Sequence, residues 1–426
     1  MSSRILCKDH YVDNNTWVTG LNNNDVIIGP SGAGKTRSYV LPNLLQCAQQ
    51  SSESLIVTDV KGNLRKTVGK TLRKSGYQVI EIDFRDCASS PYGYNPLMYV
   101  RRDEKRKCYN EQDIMQIAAI LSPVMSKHDP FWELSARIAL SAMISYVLEY
   151  LPHDEHHLGS VIRLVREMST GNFDQLFDEA CVIAPESFSA TQYQMFRNVQ
   201  KSQKTYASIQ AFIVQKLAPF SHYGALKLFT NSLQVRFRDL GRQNVAVFLN
   251  VSDTDRSMDA MVSLFYTQAL QTLCRYADQQ PESRLRVPVR LIMDDFASGA
   301  AGCIPDFDQT TSCIRSREIS VSIILQSLSQ LEDAYGLSKA QTILNNCDHL
   351  LYLGGQDVGT ARHISIKANK SIHTILDMPL DHAWLFTRGQ MPKEVQKYRL
   401  ESHPLYQHER HTVKSSKPEP EEECEA

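Results

Sequence analysis

Residues 25–36 read DVIIGPSGAGKT: a short apolar run, DVII, followed at once by GPSGAGKT at 29–36. Gly29 and Gly34 stand at the spacing G-x-x-x-x-G-K-[ST]. A loop of this kind must turn tightly so that successive backbone N–H groups face one phosphate, and a Cβ at the glycine positions would block that approach. Lys35 is then placed to reach the β- and γ-phosphates and Thr36 to give its hydroxyl to Mg²⁺. The helix that starts there points the positive end of its dipole at the anion. The expected nucleotide site is therefore Gly29, Pro30, Ser31, Gly32, Ala33, Gly34, Lys35 and Thr36, with Arg37 beside them, and its ligands are ATP and Mg²⁺.

Six further short apolar runs resemble DVIIG (25–29): SLIVTD (54–59), YQVIEID (77–83), NVAVFLNV (244–251), VRLIMDD (289–295), ISVSIILQ (319–326) and HLLYLG (349–354). Helix-like stretches separate them. Continuous apolar strands alternating with helices imply a mostly parallel sheet covered on both faces, an α/β fold. Between YQVIEID and NVAVFLNV lie about 160 residues without a convincing strand. There Ile114, Ile117, Ala118 and Leu121 share one helical face, as do Leu158, Val161, Ile162 and Val165. The reading is an all-α domain at 97–200 inserted into a sheet domain of 1–96 and 201–412, with a helical segment at about 201–230 leading back. FWELSARIALSAMISYVLEYL (131–151) is read as a core helix, too short and too polar to span a membrane. The Pro-rich acidic end, 413–426, lacks aromatic residues and is expected to be disordered.

Composition narrows the partners. Lys plus Arg number 46 against 47 Asp plus Glu, a formal charge of −1, so the whole chain carries no basic footprint for a polyanion, although a local basic groove stays open. The inserted stretch 97–200 holds 10 Lys plus Arg against 14 Asp plus Glu, a net acidic surface that favours protein over nonspecific DNA contact. The start carries no signal-peptide core, and the ten cysteines include no C-x-x-C pair, which suits a reducing cytoplasm. HDEHH (153–157) has metal-ligand composition, but Pro152 and Gly159 bracket it as a solvated loop; RRDEKRK (101–107) carries both signs and is read the same way.

A phosphate loop needs a second carboxylate for its metal, at the carboxyl end of a neighbouring strand. VRLIMDDFA supplies Asp294 as the expected Mg²⁺ partner and Asp295 as the base that orients the attacking water, although an Asp pair can also simply begin a turn. Gln326 closes ISVSIIL and should emerge at the same sheet edge, either to sense the γ-phosphate or hold the water, or simply as a turn-side Gln. Asp59 ends SLIVT, so it either joins the site or caps the helix that follows, which should stop at Gly76. Arg315 and Arg317, in SCIRSREIS, are candidates for an arginine that reaches a neighbouring subunit's site; surface arginines are also common.

Taken together, GPSGAGKTRSYVLPNLLQ, VTDVKGNL, YNPL (94–97), DPFWE (129–133), LIMDDFA, IILQSLSQLEDAYG and ILNNCDHLLYLGG resemble the type IV coupling proteins, the TraG/TraD-like ATPases of conjugation and type IV secretion. The resemblance runs from about residue 20 to about residue 390 with its motifs in order. It implies a RecA-like P-loop NTPase domain interrupted by an all-α domain, with Lys35 and Thr36 in the P-loop, Asp294 as metal carboxylate and Gln326 on the sensor strand. It also implies a hexameric ring that presents relaxase–DNA complexes or effector proteins to a secretion channel, the isolated chain being a ring or a monomer. Two departures stand out. No membrane anchor is evident, so a cytoplasmic chain that meets the inner face of the membrane only through a partner is expected. Asp295 stands where the family reads Glu, which draws the carboxylate back by roughly 1.5 Å; a displacement of that size can slow an enzyme about a hundredfold. The expected function is an ATP-hydrolysing coupling protein, with a nucleotide-gated receptor of little turnover and a soluble DNA translocase as alternatives.

Overall fold

The computed structural model describes residues 2–124, 129–200, 202–297 and 304–406; the tail at 413–426 lies outside the described residues. All seven apolar runs are strands. The strands in chain order are β1 (Ser3–Cys7), β2 (His10–Asp13), β3 (Asp25–Ile28), β4 (Ser54–Asp59), β5 (Gln78–Asp83), β6 (Arg102–Asp103), β7 (Cys108–Tyr109), β8 (Val245–Asn250), β9 (Val289–Met293), β10 (Ile319–Leu325), β11 (His349–Tyr352), β12 (His382–Thr387) and β13 (Lys393–Gln396). Nine of them form one sheet in the order β13-β12-β11-β3-β10-β9-β4-β8-β5. From β11 to β5 every neighbouring pair is parallel; β12 and β13 add an antiparallel edge.

Alternation along the strands explains the two covered faces. Leu55 and Val57 of β4 and Ala246 and Phe248 of β8 pack into a layer with Leu44, Leu45, Val68 and Leu72, from the helices Leu41–Gln50 and Leu64–Lys74. Ile56, Val247 and Leu249 point the other way, into a core shared with helix Asp259–Asp278 and with the helices between β5 and β8. Both faces of each central strand are buried, as a parallel sheet requires. That is why these runs are apolar throughout.

Between β5 and β8 the chain is helical apart from the short ribbon β6/β7 at 102–109, and helices continue past residue 200. Helix Phe131–Tyr150 is the centre of this layer, packed against Glu111–Leu121, Leu158–Thr170, Phe188–Gln200 and Gln203–Leu217. Contrary to the sequence expectation, it is long and apolar enough to cross a membrane; the reading as a core helix rests instead on burial, since Ala136, Ala139, Leu140, Met143 and Ile144 are fully buried inside the protein. In HDEHH, His157 caps helix Leu158–Thr170 through Ser160 N–H, and Glu155 pairs with Arg163 at 2.8 Å.

Because one continuous apolar core joins this helical layer to the sheet, damage to the layer should be felt by the whole fold. Leu140→Ala is expected to cost about 2–5 kcal/mol through lost burial and a cavity. Chemical denaturation should show one shifted transition, and a separate early transition would show that the helical layer unfolds on its own.

Candidate nucleotide site

The P-loop leaves β3 at the carboxyl edge of the parallel strands, the edge where open α/β sheets bind ligands. Its turn uses glycine in two different ways. Gly32 and Gly34 have φ of +81° and +91°, the left-handed region that a side chain disfavours. A Cβ on Gly29 would instead meet the Cβ atoms of Ala33 at 2.9 Å and Leu353 at 3.1 Å, so the back of the loop is pressed against the tip of β11. Thr36–Val40 then form a wide π-helical turn, in which Leu41 N–H bonds Thr36 O, before the regular helix Leu41–Gln50. Pro42 accounts for this: it has no N–H for the carbonyl four residues back, and its ring crowds that carbonyl.

A cleft of about 360 Å³ opens here. Pro30, Ser31, Gly32, Gly34, Lys35, Thr36 and Arg37 line one side; Asp59, Asp294, Asp295 and Gln326 line the other, together with Lys61 and Asn63. One strand, β10, stands between the P-loop strand β3 and the carboxylate strand β9, and Gln326 follows β10 at its tip. Its Nε2 donates to Asp295 Oδ1 at 3.3 Å. Lys35 folds back over the loop, donating from Nζ to Gly29 O at 2.6 Å and to Pro30 O at 3.1 Å. Burial draws the pKa of Lys35 down, while Asp295 and Asp294 push it back up. A phosphate would take over the bonds that these carbonyls now satisfy, which is the exchange a P-loop lysine has to make.

The carboxylates are under strain. Burial, and after it the charge of Asp295, pushes Asp294 up to about 6. Asp295 itself holds φ +52°, a left-handed conformation for a residue with a side chain. A divalent cation beside Thr36 would relieve the crowding of negative charge, so the donor set fits Mg²⁺. Asp59 does both things that its position allowed. It lines the cleft, and its carboxylate accepts the N–H groups of Asn63 (3.0 Å), Leu64 (2.8 Å) and Arg65 (3.2 Å), capping helix Leu64–Lys74.

The sequence profile described as "Type IV secretory system Conjugative DNA transfer" matches residues 3–371. The chain belongs to this type IV conjugative DNA-transfer family. VirD4 of Rhizobium rhizogenes is 23% identical over 360 residues, covering 82% of this chain and 50% of that protein. VirD4 of Rhizobium radiobacter is 22% identical over 342 residues, covering 80% and 47%. The chain thus spans about half the length of these relatives. Among solved structures, the conjugative coupling protein TrwBdeltaN70 with sulphate has the same fold, with a TM-score of 0.65 at 15% identity, covering 88% of this chain and 85% of that one. TrwB in complex with ADP and Mg²⁺ gives 0.63 at 15% identity over 88% and 85%. VirB4 of Thermoanaerobacter pseudethanolicus gives 0.56 at 16% over 91% of each chain.

Two of the residues proposed from the sequence lie elsewhere. Arg315 and Arg317 form a short turn that precedes β10, at the amino end of the strands. The seven residues of β10 at about 3.3 Å each separate them from the cleft by roughly 20 Å. Arg317 is engaged by Asp278, at 2.7 and 3.1 Å. Arg315 makes one long bond, 3.4 Å, to Thr16 O and borders a separate cleft with Trp17, Arg284 and Arg286. Sequence reading missed Lys397, whose Nζ donates to Ala33 O at 3.0 Å; nothing local in its surroundings signals that contact.

The raised Asp294 pKa carries a stability prediction. An acid whose folded pKa lies above its unfolded value near 4 destabilises the fold above its folded pKa, and the penalty fades as pH falls between the two values. Asp294→Asn should therefore stabilise the nucleotide-free protein at pH 7.5 by about 1–3 kcal/mol and give no gain at pH 4. Urea titrations at both values test this; a variant less stable than the parent at pH 7.5 would contradict it.

Proposed function

We propose that this chain binds Mg·ATP in the cleft between the P-loop and the ends of β9 and β10, hydrolyses it, and uses the cycle to hand a macromolecular substrate to a type IV secretion or conjugation channel. The observation that carries the reading is the convergence of Lys35, Thr36, Asp294, Asp295 and Gln326 on one cleft. These residues are far apart in sequence and their types divide the work of phosphoryl transfer between them. The loop N–H groups and Lys35 bind the phosphates, and Thr36 with Asp294 would hold Mg²⁺, which when bound offsets negative charge on the β- and γ-phosphates. Asp295, steadied by the Gln326 amide, orients the attacking water and takes up its proton.

Family membership supports a coupling role, and the solved TrwB complexes with ADPNP and with ADP and Mg²⁺ support the nucleotide. The substrate is a relaxase–DNA complex or an effector protein, the working form is a homo-oligomeric ring, and the site of action is the cytoplasmic face of the membrane. The sheet domain (1–96 and 201–412) carries the nucleotide and the helical domain (97–200) faces the substrate. Arg315, placed at the opposite sheet edge and held by a single long bond, completes a neighbour's site rather than its own. A nucleotide-gated receptor with little turnover is the second reading. It is favoured by the short Asp295 side chain and the left-handed backbone that aims it.

Steady-state phosphate release separates the two. The coupling ATPase predicts turnover that Asp295→Asn abolishes with ATP affinity retained, whereas Lys35→Ala weakens Mg·ATP binding at least tenfold, the scale of a charge-assisted hydrogen bond of about 1.5–3 kcal/mol. Tight ATP binding without measurable release in the parent would favour the receptor. For the shared site, a Lys35→Ala chain mixed at high concentration with an Arg315→Ala chain should regain turnover that neither shows alone. Mixtures that stay inactive would assign the arginine no role in trans.

A further inference from the structure

The segment after β13 crosses behind the P-loop. Tyr398 and Leu400 are buried and anchor it, and between them and the strand Lys397 extends its ammonium group to two backbone carbonyls, Ala33 O at 3.0 Å and Leu353 O at 2.9 Å. Leu353 sits at the tip of β11, where its N–H bonds Ile28 O, the last residue of β3, at 2.8 Å. Lys397 thus fastens the middle of the loop to the sheet tip on which the loop rests.

The direction of that contact matters. Ala33 O and Gly34 N–H belong to one peptide unit, and a trans planar peptide points its C=O and its N–H to opposite sides. Gly34 lines the cleft, whereas Ala33, Leu353 and Lys397 do not. A cation that grips the carbonyl from behind therefore turns the N–H forward, and the φ of +91° at Gly34 lets the chain continue from that orientation. The cation also polarises the amide, which strengthens the N–H as a donor. We infer that Lys397 is a positioning residue of the phosphate site: it holds the 33–34 peptide from outside the cleft so that Gly34 N–H faces the β-phosphate of a bound nucleotide.

This inference rests on the nucleotide reading above, and ADP and AMP tell the two apart, because AMP lacks the phosphate that Gly34 N–H would meet. Affinities for both are measured by calorimetry, with AMP by displacement of ADP, on the parent and on Lys397→Met, Lys397→Gln and Lys397→Arg, alongside thermal unfolding. The expected result is an ADP affinity about tenfold weaker in Lys397→Met, the size of a lost charge-assisted contact. AMP affinity should stay unchanged and Lys397→Arg, which keeps the cation, should remain within about threefold of the parent. ADP affinity within twofold of the parent in a folded Lys397→Met overturns the inference. So does an equal loss for ADP and AMP, or an equal loss in the Arg variant. Should Lys397→Met fail to fold, Lys397→Gln decides: a selective loss of ADP supports the role and full retention overturns it. A parent that binds neither nucleotide overturns the nucleotide reading, and this inference with it.

Discussion

A phosphate loop offers its ligand main-chain N–H groups, and main chain can be aimed only by whatever fixes the peptide planes around it. In this chain that fixing is done by packing from behind. Gly29 has no room for a side chain between Ala33 and Leu353, Gly32 and Gly34 turn through left-handed geometry, and Lys397 holds the Ala33 carbonyl. The nucleotide face is consequently lined by backbone and by a few chemically active side chains, while structural side chains sit on the opposite side. The π-helical turn imposed by Pro42 then passes the chain into a regular helix without moving Thr36 from the cleft.

The far end of the sheet is secured in a different way. Arg4, Asp25, Glu53, Arg290 and His349 form a network among the amino ends of β1, β3, β4, β9 and β11, almost wholly shielded from water. Arg4 Nε meets Asp25 at 2.9 Å and Arg290 Nε meets Glu53 at 3.1 Å. Burial alone would raise the pKa of Asp25, but Arg4, His349 and Arg290 more than offset it and hold the carboxyl below the usual range. Charges this deep are costly unless they are paired, so removing any one member would leave an uncompensated buried charge beneath the strands whose other ends carry the site. The β1/β2 hairpin is tied to the sheet through Arg4, which makes it part of that support.

Much of this was legible in the sequence, for a physical reason. The seven strands that were read are buried on both faces or nearly so, and burial on two faces writes a continuous apolar run. What escaped follows the converse rule. β13, KEVQ, is an exposed edge and carries charge as edges do; β1 hides Arg4 inside its run, which breaks the apolar pattern. The P-loop and the two aspartates announced themselves because phosphate chemistry demands particular side chains at fixed spacing. Lys397 left no such trace, since its acceptors are main-chain carbonyls 364 and 44 residues away, which any residue type at positions 33 and 353 would supply. The separation of Arg315 from the cleft, by contrast, follows from chain order: it precedes β10, whereas ligands of open α/β sheets sit at the carboxyl ends of the strands.

On this reading one cleft at the carboxyl edge of the sheet gathers a magnesium nucleotide between the P-loop and the Asp294 strand. A crystal structure of this chain with ADP and Mg²⁺ tests it most directly. The β-phosphate should lie against the N–H groups of residues 32–36, with Lys35 withdrawn from the Gly29 and Pro30 carbonyls to meet it and the metal bound by Thr36 with Asp294 facing it. A nucleotide held elsewhere, or one seated in the cleft with Lys35 still bonded to its own loop, would contradict it.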